Sequence, residues 1–145
     1  MRFGDKPIPE NIMELIPKAQ RILDENPRVI FAYLFGGLAK GRITPISDID
    51  IAVYLKDIKD EGDIFDIKLE LLTSLSEVLN TEEIDLVVLN NAPLPLKAKI
   101  IQNKKVLVDK DPNLRYSFES LTLREYFDFS IKEKAILYRR FGIGR

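Results

Sequence analysis

Two apolar runs, VIFAYLFG and DIDIAVYL, stand a short link apart, and that closeness limits what this chain can build. The first run is continuous and ends in glycine, which reads as a buried strand. The second opens with polar and apolar residues in alternation, which reads as a strand with one buried face. The link from Gly37 to Asp48 favours an antiparallel pair, because a parallel crossover needs a dozen residues or more. A helical stretch, DEGDIFDIKLELLTSLSEVLN, then leads to a third strand, EEIDLVVLN. That connection favours a parallel, right-handed crossover.

The remaining elements complete a mixed sheet flanked by helices, an α+β fold. Ile12, Leu15, Ile16, Ala19 and Leu23 recur at helical spacing, so 9–26 is an amphipathic helix that Pro17 should kink. The helix before the third strand is expected to start at an Asp63 N-cap and run to Asn80. NNAPLPLKAKIIQNK is a short helix with proline start signals, and KVLVD a brief fourth strand. Asp111-Pro112 reads as N-cap and first residue of a helix. The apolar phase slips near Phe129, where Ser130 and Glu133 form a capping-box pattern. Two C-terminal helices, 112–128 and 131–140, are therefore expected, with Tyr126, Phe127 and Phe129 as core contacts or, in the other reading, a partner-binding patch. Asp57, Asp60, Glu61 and Asp63 are expected to form a solvated turn. Arg139, Arg140 and Arg145 are read as a solvated end of the chain.

The chain has 145 residues, 46% hydrophobic and 31% charged, which suits one soluble globular domain spanning 1–145. A net charge of −1 calls for neither nucleic acid nor membrane as a partner. There is no cysteine and no histidine, so disulfides, zinc fingers, thiol nucleophiles and imidazole acid–base chemistry are excluded. Any metal must be held by oxygen ligands, which suit magnesium, calcium or manganese. The N-terminal residues read as neither signal peptide nor anchor, so a cytoplasmic location is expected.

The chemistry concentrates where the first two strands meet. Asp48 and Asp50 share one face with Ala52 and Tyr54, while Ile49, Ile51, Val53 and Leu55 take the other. Two carboxylates roughly 5 Å apart repel by about 3 kcal/mol at an effective dielectric near 20, which water or a divalent cation relieves. The parallel crossover sets the starts of the second and third strands side by side, so Asp85 joins the pair. Gly36, Gly37 and Gly41 permit unusual backbone angles and close approach. A helical turn beginning at Leu38–Lys40 would aim free N–H groups at an anion, with Lys40 and Arg42 adding positive charge. The same glycines also fit a plain tight turn, and the acids a polar strand end. Together, three carboxylates facing a glycine turn suit one or two magnesium ions and the phosphates of a nucleotide.

The joint pattern Gly36-Gly37, ten residues, Asp48-Ile49-Asp50, then Asp85 in IDLVVL resembles the nucleotidyltransferase superfamily of polymerase-β-like enzymes. NNAPLPLKAKIIQNKKVLVDKD and the later FES…REYFDF are similar to segments of the minimal MNT type, the antitoxins of HEPN/MNT toxin–antitoxin pairs. The resemblance implies that Asp48, Asp50 and Asp85 are catalytic and ligate Mg2+, with Asp85 favouring deprotonation of the acceptor hydroxyl. It implies that Gly36 and Gly37 cradle the phosphates of ATP, helped by Lys40 and Arg42. It also implies a protein partner, a HEPN toxin AMPylated on a tyrosine. Two positions depart from the minimal pattern: Gly37 replaces a serine, and Leu38 an arginine for which Lys40 stands in. Two other readings remain open. One is a binding module that neutralises its partner by occlusion, and the other transfers nucleotide to a small molecule such as an aminoglycoside.

Overall fold

The computed structural model describes residues 11–41 and 48–142. In chain order the elements are α1 (Ile12–Glu25), β1 (Val29–Phe35), α2 (Gly36–Ala39), β2 (Ile49–Leu55), α3 (Glu61–Leu79), β3 (Ile84–Val88), α4 (Leu94–Gln102), β4 (Lys105–Asp109) and α5 (Pro112–Phe141). The four strands form one sheet in the order β3-β2-β1-β4. β1 runs antiparallel to both β2 and β4, and β2 runs parallel to β3. Strand alternation divides the core between the two faces of this sheet. Ile49, Ile51, Val53 and Leu55 pack with Ala32 and Leu34 against Ile12, Ile16, Ala19 and Leu23 of α1 and Ile67, Leu71, Leu75 and Leu79 of α3. Phe31, Tyr33 and Ala52 face the other way, onto Ile100 and Ile101 of α4 and Leu114 and Phe118 of α5. The sheet is thus sandwiched between two helical layers.

α1 runs from Ile12 to Glu25 with Pro17 inside it. Several local expectations need correction. α3 starts earlier than expected, because the Asp60 carboxylate accepts from the Asp63 N–H at 2.8 Å and makes Asp60 the N-cap. That frees Asp63 for Arg28, whose guanidinium lies 2.9 Å from its carboxylate and holds it below the usual carboxylate range. The acidic turn is therefore partly a clasp between the start of β1 and α3. Asp111 caps α5, accepting from Leu114 N–H at 3.1 Å.

α5 is a single 30-residue helix, not two. No glycine or proline interrupts it between Pro112 and Gly142, and Gly142 ends it in the left-handed region at φ 67. Ser130 lies inside the helix and caps nothing. The phase slip near Phe129 needs no break, because this half of the helix lies beyond the core. Phe127 and Phe129 are 58% and 45% exposed, so they are surface groups rather than core contacts.

The first half of α5 is fastened by a part-buried ionic network. The Tyr33 hydroxyl donates to Glu119 at 2.6 Å, and Arg115 bonds Asp109 at 2.8 Å and Glu119 at 2.9 Å. Burial, and then the Glu119 carboxylate, raise the Tyr33 phenol far above its usual range. Removing one partner of such a network leaves the others uncompensated. Arg115→Ala is therefore expected to lower stability by about 3 kcal/mol, read as a lower urea midpoint.

Candidate active site

The site begins with the register of three strands. The Ile49 N–H donates to the Glu83 carbonyl at 2.9 Å, which starts the parallel ladder and sets Asp50 opposite Asp85. Both acids lie on the face of Ala52 and Val87, because Ile51 and Leu86 are committed to the opposite core. On the other side Asp50 is the register partner of Phe35, the last residue of β1. Immediately beyond it the chain turns at Gly36, at φ 72, into the single turn of α2. A Cβ added to Gly36 would lie 2.1 Å from Asp50 Oδ2. The carboxylate of Asp50 therefore rests on bare backbone, with Asp85 at its other flank.

Asp48 is exposed, one residue before β2, and its charge reaches Asp50. Partial burial, then repulsion from Asp85 and from Asp48, push the Asp50 carboxyl up to about 6, against an opposing pull from Lys99. The three acids singled out in the sequence are thus electrostatically joined. Gly36 and Gly37 form the first two residues of α2, so its free N–H groups begin two positions earlier than expected. Lys40 is exposed at the end of that turn, where its N–H donates to the Gly37 carbonyl at 3.1 Å. Arg42 lies outside the described residues. Lys99 was not singled out in the sequence. Its only signal there was its place in the helix after β3, and its nearness to Asp50 arises from the packing of α4.

Among the described residues no three acids close into a ready-made metal cage. Magnesium rarely needs one, since it is commonly bound by one or two carboxylates together with water and substrate phosphates. The donor set here is carboxylate oxygen alone, with an acid pair in register and a third acid at the rim, and it fits that mode.

Residues 17–113 match the family described as Polymerase beta, Nucleotidyltransferase. The chain belongs to this nucleotidyltransferase family. The match contains Gly36, Asp50 and Asp85 and stops near the start of α5. The nucleotidyltransferase is also similar to solved toxin–antitoxin structures. A mutant of the pair MntA–HpeT shares 27% identity at a TM-score of 0.69, over 84% of this chain and 94% of that one. A complex of tri-AMPylated Shewanella oneidensis HEPN toxin with MNT antitoxin gives 26% identity and 0.65, covering 87% and 95%. A toxin–antitoxin structure with AMP-PNP gives 29% and 0.66, covering 86% and 94%. No curated protein sequence matches this nucleotidyltransferase. None of its described helices is long and apolar enough to cross a membrane.

Proposed function

We propose that this nucleotidyltransferase moves AMP from ATP to a hydroxyl of a partner HEPN-type toxin in the cytoplasm and so neutralises it. The observation that carries this reading is the Asp50–Asp85 pair in strand register, with the Asp50 carboxylate against the Gly36 backbone, within a nucleotidyltransferase family match. The tri-AMPylated HEPN toxin and the AMP-PNP found in the similar structures support the acceptor and the donor.

In this reading Asp48, Asp50 and Asp85 hold Mg2+, which when bound neutralises phosphate charge and polarises the reacting oxygens. The N–H groups at the start of α2 receive phosphate oxygens of the donor tail. Asp85 is the most exposed member of the in-register pair and accepts the proton of the incoming hydroxyl. The hydroxyl oxygen bonds to the α-phosphorus, the bond to the β-phosphate bridge breaks, and pyrophosphate leaves with its electron pair. Ala52, Tyr54 and the Phe31 ring stacked on Tyr54 at 4.9 Å form an apolar floor behind the acids.

The test is intact-mass analysis of the toxin-like protein encoded beside this chain, before and after incubation with the chain, ATP and magnesium. Mass steps of one AMP unit are expected, and they should vanish without magnesium. A tight complex whose partner keeps its original mass would overturn the transfer reading and leave neutralisation by occlusion.

A further inference from the structure

α5 is longer than the body it packs on. Leu114, Phe118 and Leu123 of its first half border one core cluster, and no residue after Leu123 joins either cluster among the described residues. The family match also ends at residue 113, before the second half begins. From Arg124 to Phe141 the helix therefore reaches about 27 Å past its last core contact. One stripe of this overhang has an ordered pattern. Glu125, Phe129, Lys132, Glu133, Ile136 and Arg140 are all exposed, and helical spacing puts them within an arc of about 100°. Phe129, Lys132, Glu133 and Ile136, with Leu137, line a groove with apolar walls. No hydrogen bond or ion pair among the described residues holds the side chains of Glu125, Lys132, Glu133 or Arg140.

The stripe is complementary to its own reverse. About the point between Lys132 and Glu133, Phe129 mirrors Ile136 and Glu125 mirrors Arg140. Two such helices laid antiparallel across that point set Phe129 of each copy against Ile136 of the other. Lys132 then meets Glu133 of the other copy, and Glu125 meets its Arg140. Every position joins apolar to apolar or acid to base. A parallel pair would instead set Lys132 on Lys132 and Glu133 on Glu133. A partner of unrelated sequence requires no such symmetry, whereas an isologous contact between two copies requires it throughout. We propose that the distal half of α5 is an antiparallel two-fold interface between two copies of this chain, centred between Lys132 and Glu133. The interface stands independently of the nucleotidyl-transfer reading. One helix face covers less than the roughly 800 Å² per partner of a standard interface, so a dissociation constant of about 10 µM is expected rather than a nanomolar one.

The experiment is analytical ultracentrifugation of the full chain alone at low ionic strength, from about 5 to about 500 µM. Wild type is expected to pass from monomer to dimer across that range. Ile136→Glu should weaken the dimer at least about 100-fold, because each copy would bury an unpaired carboxylate. Lys132→Glu and Glu133→Lys should each weaken it about 10-fold, since like charges then meet twice. The double variant Lys132→Glu/Glu133→Lys restores the pairing with its signs exchanged and should return to within about threefold of wild type. Circular-dichroism melts of all variants at dilute, monomeric concentration should match wild type, because the altered side chains are exposed. A wild type that stays monomeric throughout would overturn the interface, and loss of the neighbouring toxin-like protein by Ile136→Glu would then assign the stripe to that partner. Dimers that Ile136→Glu leaves intact would also overturn it, because the contact would lie elsewhere. A double variant no better than either single one would overturn the antiparallel register.

Discussion

Asp50→Asn is expected to lower nucleotidyl transfer at least about 100-fold and, at the same time, to stabilise the metal-free protein. Both effects follow from one placement. Asp50 is the acid that touches the others, through strand pairing with Asp85 and through the charge of Asp48. Its carboxyl is pushed up from 3.8 to about 6 by burial first and by its acidic neighbours second. A carboxylate whose folded pKa lies above its unfolded value destabilises the fold once it ionises. The folded state holds an extra proton between about pH 4 and pH 6, and stability falls as pH rises through that window. Above it the penalty is complete. The full shift corresponds to about 3 kcal/mol, but Asp50 is only partly buried, and screening by solvent reduces this to about 1 kcal/mol. The asparagine variant should therefore melt roughly 3 °C higher than wild type at pH 7.5 and at the same temperature below pH 4. Magnesium should raise the melting temperature of wild type and leave that of the variant in place. An asparagine variant that melts lower at pH 7.5 would show that the acids are not crowded. The residue that strains the resting protein would then not be the one that binds the ion.

The strands and their directions were readable because side-chain period and link length decide them. Ile49, Ile51, Val53 and Leu55 alternate with Asp48, Asp50, Ala52 and Tyr54, and only one registration buries the aliphatic set. A short link into β2 and a helical link out of it then leave few topologies. The neighbourhood of Asp50 and Asp85 followed from those two facts. Helix limits were harder. Asp57, Asp60 and Asp63 can each cap a helix, and the choice of Asp60 depends on Arg28, distant in sequence, taking up Asp63. The continuity of α5 was also hidden. A periodic apolar stripe announces a helix but says nothing of whether a surface exists to cover it, so Phe127 and Phe129 read as core and are exposed. Lys99 was invisible for a related reason, since its place is set by how Ile100 and Ile101 seat α4 on the sheet.

Gly36→Ala should inactivate the enzyme as thoroughly as loss of an acid, by a route that separates contact from strain. The added Cβ would meet Asp50 Oδ2 at 2.1 Å, Cγ at 3.1 Å and Cβ at 3.4 Å. Either the Asp50 carboxylate swings away from Asp85 or the start of α2 lifts off the sheet, and each motion separates acids from phosphate-binding amides. A loss of at least about 100-fold in transfer is expected. Backbone strain adds about 1 kcal/mol of destabilisation, because φ at Gly36 is +72. Gly41 isolates that second effect. Its φ is +79, yet a Cβ there meets nothing within 4 Å among the described residues, so Gly41→Ala should carry the strain and keep the activity. The two contributions at Gly36 can then be divided by a double-mutant cycle. In Gly36→Ala combined with Asp50→Ala the colliding carboxylate is gone. The destabilisation caused by the added methyl group should fall to the value measured for Gly41→Ala. If it stays as large without the carboxylate as with it, the glycine serves the turn alone, and the close approach of Asp50 to the backbone has no part in shaping the site.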